Sequence, residues 1–316
     1  MSTETPPPAQ KHKTYLLTSA LSPLGHALSL HLLSLGCNLA ACCTRTELSS
    51  PLLPALRDAG SNSPNGSRLI ILELDAMSPS TVQCALATAA TTFGRLDVVI
   101  HTGIPSFLGA LEEMSATDTV SQFEIGYFGR VNVVKSALTV MRKQRGGHIV
   151  VVTGLTGAMG TPGMSLRCAA DHAIEGLLDG LAYEVAPFAV RVSIVQPSVE
   201  VAVWGGGEVR VAKEMGEYEG VEQVKMIRGM AGRVLAGEEL SDTVRILAEI
   251  GGSENPPGRV TVGDEGVEIV KERLKTLSEE LEEYLEASLG ADIMAPPGVG
   301  GTGGRMRPVA IGELDE

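Results

Sequence analysis

Residues 14–25 read Thr-Tyr-Leu-Leu-Thr-Ser-Ala-Leu-Ser-Pro-Leu-Gly. The apolar run Tyr15, Leu16, Leu17 shows no polar alternation, as expected of a short strand covered on both faces. Ser22 and Pro23 then mark a helix start. A serine oxygen can cap the free N–H groups of a first turn, and proline is tolerated at the first helical position because its missing N–H had no partner there. Leu24, Ala27, Leu28, Leu32 and Leu35 recur at helical spacing, and Gly36 is placed to stop the helix. Residues 18–25 therefore carry a buried strand into a helix N-terminus, where backbone N–H groups and the helix dipole favour an anion.

The same rhythm continues outward. Strands are expected at 39–43, 69–74, 96–101, 148–152 and 190–195, with helices at 79–93, 119–142 and 165–185 between them. Continuously apolar strands alternating with helices predict an α/β fold: a single doubly wound, Rossmann-type parallel sheet with helices on both faces. Ligands of such sheets sit beyond the carboxyl ends of the strands. After Pro197 the rhythm changes. Trp204-Gly205-Gly206-Gly207 reads as flexible, 241–250 as a short capped helix, 259–262 as a last strand, and 267–289 as a charged, solvated helix. The expected organisation is a loose tail at 1–13, one domain over 14–265 with halves at 14–145 and 146–265, a charged helix at 266–289 and a disordered Gly- and Pro-rich tail at 290–316.

Composition removes several classes of function. With 25 Lys+Arg against 38 Asp+Glu and a net charge of -13, the chain is not built for a phosphate backbone. Aromatics at 3% argue against base stacking. No apolar run approaches the ~20 residues of a membrane span, and the polar N-terminus lacks a signal-peptide core, so a cytoplasmic protein is expected. Cys37, Cys42, Cys43, Cys84 and Cys168 have no metal spacing and read as buried, reduced thiols, and no metal is expected.

Over residues 14–200 the chain resembles the short-chain dehydrogenase/reductase family. Thr18 and Gly25 match the ends of that family's TGxxxGxG loop, with Ser19 and Pro23 standing where it has glycine. His101-Thr102-Gly103 takes the place of NNAG, residues 147–154 (GHIVVVTG) match the strand before the catalytic serine, and residues 167–177 (RCAADHAIEGL) match YxASKxAxxGL. The resemblance implies a cofactor site formed by Thr18, Ser22, Leu24, Gly25, Arg45, Asp75, Gly103 and Pro197. Asp75 would face adenine. Arg45, where an acidic residue would bind the ribose of NAD, suits the extra phosphate of NADP(H).

At the chemistry end the resemblance shows losses. Arg167 replaces the tyrosine acid and Asp171 the lysine four residues on, while Gly154 and Gly126 take the serine and asparagine positions. Arginine does not titrate near neutrality, so ordinary ketone–alcohol chemistry is not expected. Arg167 and Asp171 share a helix face, Arg130 lies four residues after Gly126, and Thr153 and Thr156 are the nearest hydroxyls. Arg130, Thr153, Arg167 and Asp171 are the candidate catalytic set. Asp171 would favour a cationic substrate such as an iminium, whose reduction needs no proton donor. His101 and His148, at strand ends or starts, read as packed or solvent-facing residues rather than bases. The reading is an atypical NADP(H)-dependent oxidoreductase acting on a small organic substrate, with no nucleic-acid or membrane partner and a homo-oligomer left open. A non-catalytic binding protein and a cofactor-assisted cyclase or isomerase are the alternatives.

Overall fold

The computed structural model describes residues 12–64, 68–235 and 237–285. Of the tail expected at 1–13, residues 1–11 lie outside them, as does the whole tail expected at 290–316. Residues up to 271 belong to one compact unit and those from 272 to a second, whose described part is 272–285.

Seven strands form one parallel sheet: β1 (Thr14–Leu17), β2 (Asn38–Cys43), β3 (Leu69–Glu73), β4 (Val98–His101), β6 (Gly147–Val152), β7 (Val190–Gln196) and β9 (Arg259–Thr261), in the order β3-β2-β1-β4-β6-β7-β9. The strand order reverses beside β1, which pairs with β2 through Leu16↔Ala40 and with β4 through Leu16↔Val99. Side chains alternate between two cores. Tyr15 and Leu17 face one, with α1 (Pro23–Ser34), α2 (Leu53–Ser61) and α9 (Gly237–Gly252). Leu16 faces the other, with α3 (Pro79–Phe93), α5 (Arg130–Gln144) and α6 (Ser165–Val185).

The helix ends follow the chemistry of their residues. Ser22 Oγ accepts from Gly25 N at 3.1 Å, Pro23 opens α1, and Gly36 leaves the helix at φ +76°. At Ser115, which caps α4 (Ala116–Phe123), the side chain accepts from Asp118 N and Asp118 accepts from Ser115 N. Gly25 is required sterically, since a Cβ there would sit 1.9 Å from the Ser19 carbonyl oxygen. Gly25→Ala is expected to lose about 1–3 kcal/mol, the usual cost of overpacking, read as a lower urea midpoint at unchanged m-value.

Three expectations need correction, and one helix was not read. The helix expected at 119–142 is α4, then a π-turn over Glu124–Gly129, then α5. Gly126 lies in that turn, where a Cβ would crowd Ile104 and Ala170 at 3.0 and 3.1 Å, so the wider turn accommodates close packing. The helix α2 carries only Leu53 and Leu56 as buried residues, too weak an apolar signal to read. The glycine-rich stretch after Pro197 is not loose. It holds α7 (Val199–Trp204), with Trp204 4% exposed, and β8 (Val209–Val211), which pairs with β5 (Ser106–Leu108). Among the cysteines, Cys84 is exposed and Cys37 half-buried. The remaining helices are α8 (Glu222–Gly229) and α10 (Asp264–Glu283). No described helix is long and apolar enough to cross a membrane.

Candidate active site

At the carboxyl ends of β1 to β4 lies a crevice of about 560 Å³, walled by Thr18, Ser22, Glu47, Asp75, His101 and Gly103 among others. Four of the expected cofactor residues, Thr18, Ser22, Asp75 and Gly103, thus converge on it. Leu24 and Gly25 sit behind the wall in the first turn of α1, and Leu24 is fully buried. The Pro197 carbonyl accepts from Leu155 N at 3.0 Å. Arg45 is exposed beside the crevice, whose wall there is made by Thr44, Thr46 and Glu47. Glu47 was not singled out from the sequence. Its carboxylate accepts from Thr44 N and Thr44 Oγ1, both at 2.8 Å, the acidic half of the capping pattern Thr-x-x-Glu, which is legible at 44–47. Among the described residues the wall carries three carboxylates, Glu47, Asp75 and Glu208, and no Lys or Arg.

The N–H groups of the first turn of α1 are all engaged. Pro23 has none, Gly25 N donates to Ser22 Oγ, and Leu24 N donates to the Gly205 carbonyl at 3.0 Å. The adenosine end of the crevice therefore fits a dinucleotide, with Asp75 and Thr44 in its wall, while the phosphate place is taken by the chain's own carbonyl. Gly103 meets the same segment, since a Cβ there would fall 2.2 Å from Gly206 Cα. The two polar atoms Thr18 Oγ1 and His101 Nδ1 have no partner, although Thr18 and His101 are only 5% and 4% exposed. Burial, with Arg130 and Arg167 adding to it, pushes the His101 pKa down to about 3, so the ring is neutral at physiological pH.

The candidate catalytic residues come together, but as a closed cluster rather than in the crevice wall. Arg130, Arg167 and Asp171 each have 0% exposure. Asp171 Oδ1 accepts from Arg130 Nη1 at 2.5 Å, and Oδ2 accepts from Arg167 Nε at 2.7 Å and Thr156 Oγ1 at 2.7 Å. Arg167 also donates to Ile104 O, Ser106 Oγ, Thr153 O and Ala202 O at 2.7–3.3 Å. Those bonds use every N–H that a guanidinium owns. Burial alone would raise the Asp171 pKa, but the two guanidiniums and the Thr156 hydroxyl outweigh it and hold the carboxyl below its ordinary value. Burial pulls the Arg130 guanidinium below its own usual range, against the attraction of Asp171.

Thr153 belongs to the next link. Its hydroxyl donates to Glu175 Oε1 at 2.6 Å, and Glu175 also accepts from Gln196 and pairs with Arg259. At Gly154, with φ +101°, a Cβ would lie 2.4 Å from the Ala202 side chain, so the place a serine would need is filled. The cluster has no group that releases a proton near neutrality. It is chemically a buried electrostatic clasp joining β6, α5, α6 and α7. Among the described residues no group of three or more His, Cys, Asp or Glu is placed to hold a metal.

The family model described as short chain dehydrogenase matches residues 13–202. The "Oxidoreductase BOA17" of Botryotinia fuckeliana is 27% identical over 281 residues, covering 88% of this chain and 99% of its own length. A short-chain dehydrogenase from Streptomyces avermitilis superimposes with a TM-score of 0.74 at 26% identity, over 89% of this chain and 99% of that one. The structure titled "ElxO with NADP Bound" gives a TM-score of 0.53 at 26% identity, over 60% of this chain and 74% of that one.

Proposed function

The chain belongs to the short-chain dehydrogenase family, and from that premise we propose that it is an oxidoreductase that holds NADP(H) in the strand-end crevice. Its substrate would be a small organic molecule that takes no proton from the protein. The observation that carries the reading is the convergence of Thr18, Asp75 and Gly103 on one crevice beyond β1 to β4. The NADP held by the related ElxO structure supports the choice of cofactor. NADPH, when bound, supplies a hydride. Asp75 would accept from the adenine amino group, Thr44 would meet the ribose, and Arg45 the extra phosphate. The buried clasp ties the end of β6 to α7 and holds no transferable proton. An iminium substrate fits that limit, because its reduced amine needs none.

Isothermal titration with NADPH and NADH tests the reading. Arg45→Ala is expected to weaken NADPH by about 1–3 kcal/mol, the worth of a charge-assisted contact, and to leave NADH unchanged. Glu47→Gln is expected to shift NADPH the other way, because it removes a like charge beside that phosphate. Equal affinity for both cofactors in the unmutated protein sinks the NADP(H) assignment.

A second reading, a family member without redox chemistry, is favoured by one observation: the first-turn N–H groups of α1 are all used within the chain. No heat of binding from either cofactor would select it.

A further inference from the structure

We propose that residues 198–207 form a strap that occupies the phosphate place, so that a dinucleotide binds only as the strap leaves. The proposal rests on the reading that the crevice takes a dinucleotide. Its first support is the bond from Leu24 N to Gly205 O, 3.0 Å long. A carbonyl oxygen at a helix N-terminus presents partial negative charge where a phosphate oxygen would present a full one. The other first-turn positions offer no alternative, because Pro23 has no N–H and Gly25 N is turned to Ser22 Oγ. An anion at this end of α1, a helix of 12 residues, therefore competes with Gly205 for the same hydrogen.

The strap is shaped for that seat. A Cβ at Gly205 would meet Val201 O at 2.4 Å, one at Gly206 would meet Ala202 O at 2.6 Å, and one at Gly103 would meet Gly206 Cα at 2.2 Å. The first two contacts close the end of the strap's own helix, and the third shows that glycine at 103 lets the strap backbone touch the strand-end loop. Two anchors hold the strap down. Arg167 Nη2 donates to Ala202 O at 3.3 Å, and Trp204, 4% exposed, packs into the core that α1 shares. The Trp204 indole N–H has no partner, so the ring is held by apolar contact alone.

An independent observation points to a ligand beyond the strap. Thr18 Oγ1 and His101 Nδ1 belong to crevice-wall residues more than nine-tenths buried, and neither has a partner. Buried polar atoms left unpaired in this way are uncommon and call for a partner. The strap thus accounts for the engaged α1 terminus without removing the crevice's use.

Trp204 is the only tryptophan of the chain and reports the seat directly. The test follows its emission while inorganic pyrophosphate or oxidised NADP is added to the full chain. The same titrations are run on Gly206→Val, whose Cβ would meet the Ala202 carbonyl within the strap at 2.6 Å and crowd Gly103 Cα at 3.2 Å, so that the strap cannot keep its seat. Expected are a red shift of the wild-type emission in step with binding of either probe, and a variant already red-shifted that binds both about tenfold more tightly, the worth of one released contact. Wild-type NADP binding with unchanged emission overturns the strap and leaves the dinucleotide reading standing. A red-shifted variant that gains pyrophosphate but not NADP keeps the strap and removes the dinucleotide reading. A red-shifted variant that gains neither overturns the strap. If Gly206→Val does not fold, Trp204→Ser removes the anchor instead. Faster amide exchange at Leu24, slowed again by pyrophosphate, is then the expected result, and unchanged exchange overturns the strap.

Discussion

Asp171→Ala is expected to lose about 3–5 kcal/mol of folding stability, the cost of leaving buried charge without its partner. The substitution strands two guanidiniums, Arg130 and Arg167, at 0% exposure, and leaves the Thr156 hydroxyl without its acceptor. For a domain of this size that loss corresponds to a melting temperature lower by about 10 °C. The control is the triple replacement Arg130→Leu, Arg167→Met, Asp171→Leu. It removes all the buried charge at once and is expected to be more stable than Asp171→Ala, because buried carbonyls that lose the donors of Arg130 and Arg167 cost less than two stranded guanidiniums. A single mutant as stable as wild type in urea titration would show that the clasp is not closed as described. The pH dependence has a definite sign. The folded Asp171 pKa lies below the unfolded value, so the carboxylate adds stability above that value, and the contribution is lost as pH falls through the folded pKa. Wild type should therefore weaken in acid below about pH 4 by an amount that Asp171→Ala does not show.

Under NADPH, ketone substrates are expected to turn over 10²–10⁴-fold more slowly than is usual for general-acid catalysis, roughly the share such catalysis supplies. Arg167, which the sequence resemblance sets at the place of a proton-donating tyrosine, has all its N–H groups engaged. Thr153 already gives its hydroxyl hydrogen to Glu175, and His101 is neutral, its pKa lowered by burial and by the charges of Arg130 and Arg167. A cyclic iminium avoids the deficit, since the hydride step completes the amine. The measurement is a matched panel of ketones and cyclic imines followed by NADPH consumption. Brisk ketone reduction that survives Arg167→Met would place the proton source elsewhere and remove the argument. Turnover of the imines alone is the expected outcome.

The sheet was legible because its strands are apolar throughout and its helices begin and end on residues with one dominant use, such as Ser22-Pro23 and Gly36. The pairing of Arg167 with Asp171 was legible too, since a spacing of four on a helix puts both on one face. Other features leave no trace in side-chain chemistry. Gly205 acts through its carbonyl, which every residue has, so its glycines read as freedom of movement when they permit close backbone contact. Full burial of Arg130 depends on Val152, Asp171 and the π-turn meeting from distant parts of the chain. Glu47 was masked by Arg45, the more conspicuous charge two residues earlier, although the exposed arginine leaves the wall to the carboxylate.

The clasp of Arg130, Asp171 and Arg167 also bears on the paths open to this sequence by descent. Each of its three charges is buried against another, so loss of Asp171 strands two guanidiniums and loss of either arginine leaves Asp171 with a single counter-charge. Asp171→Lys alone would set three cations side by side, and Arg167→Tyr alone would take the second counter-charge from Asp171 and leave the carbonyls of Thr153 and Ala202 without their donor. Intermediates that lose several kcal/mol fall near or below the whole margin of a marginally stable domain. A lineage that holds this cluster is thereby kept to it as by a ratchet, and single changes are borne more easily at the crevice wall than inside the clasp.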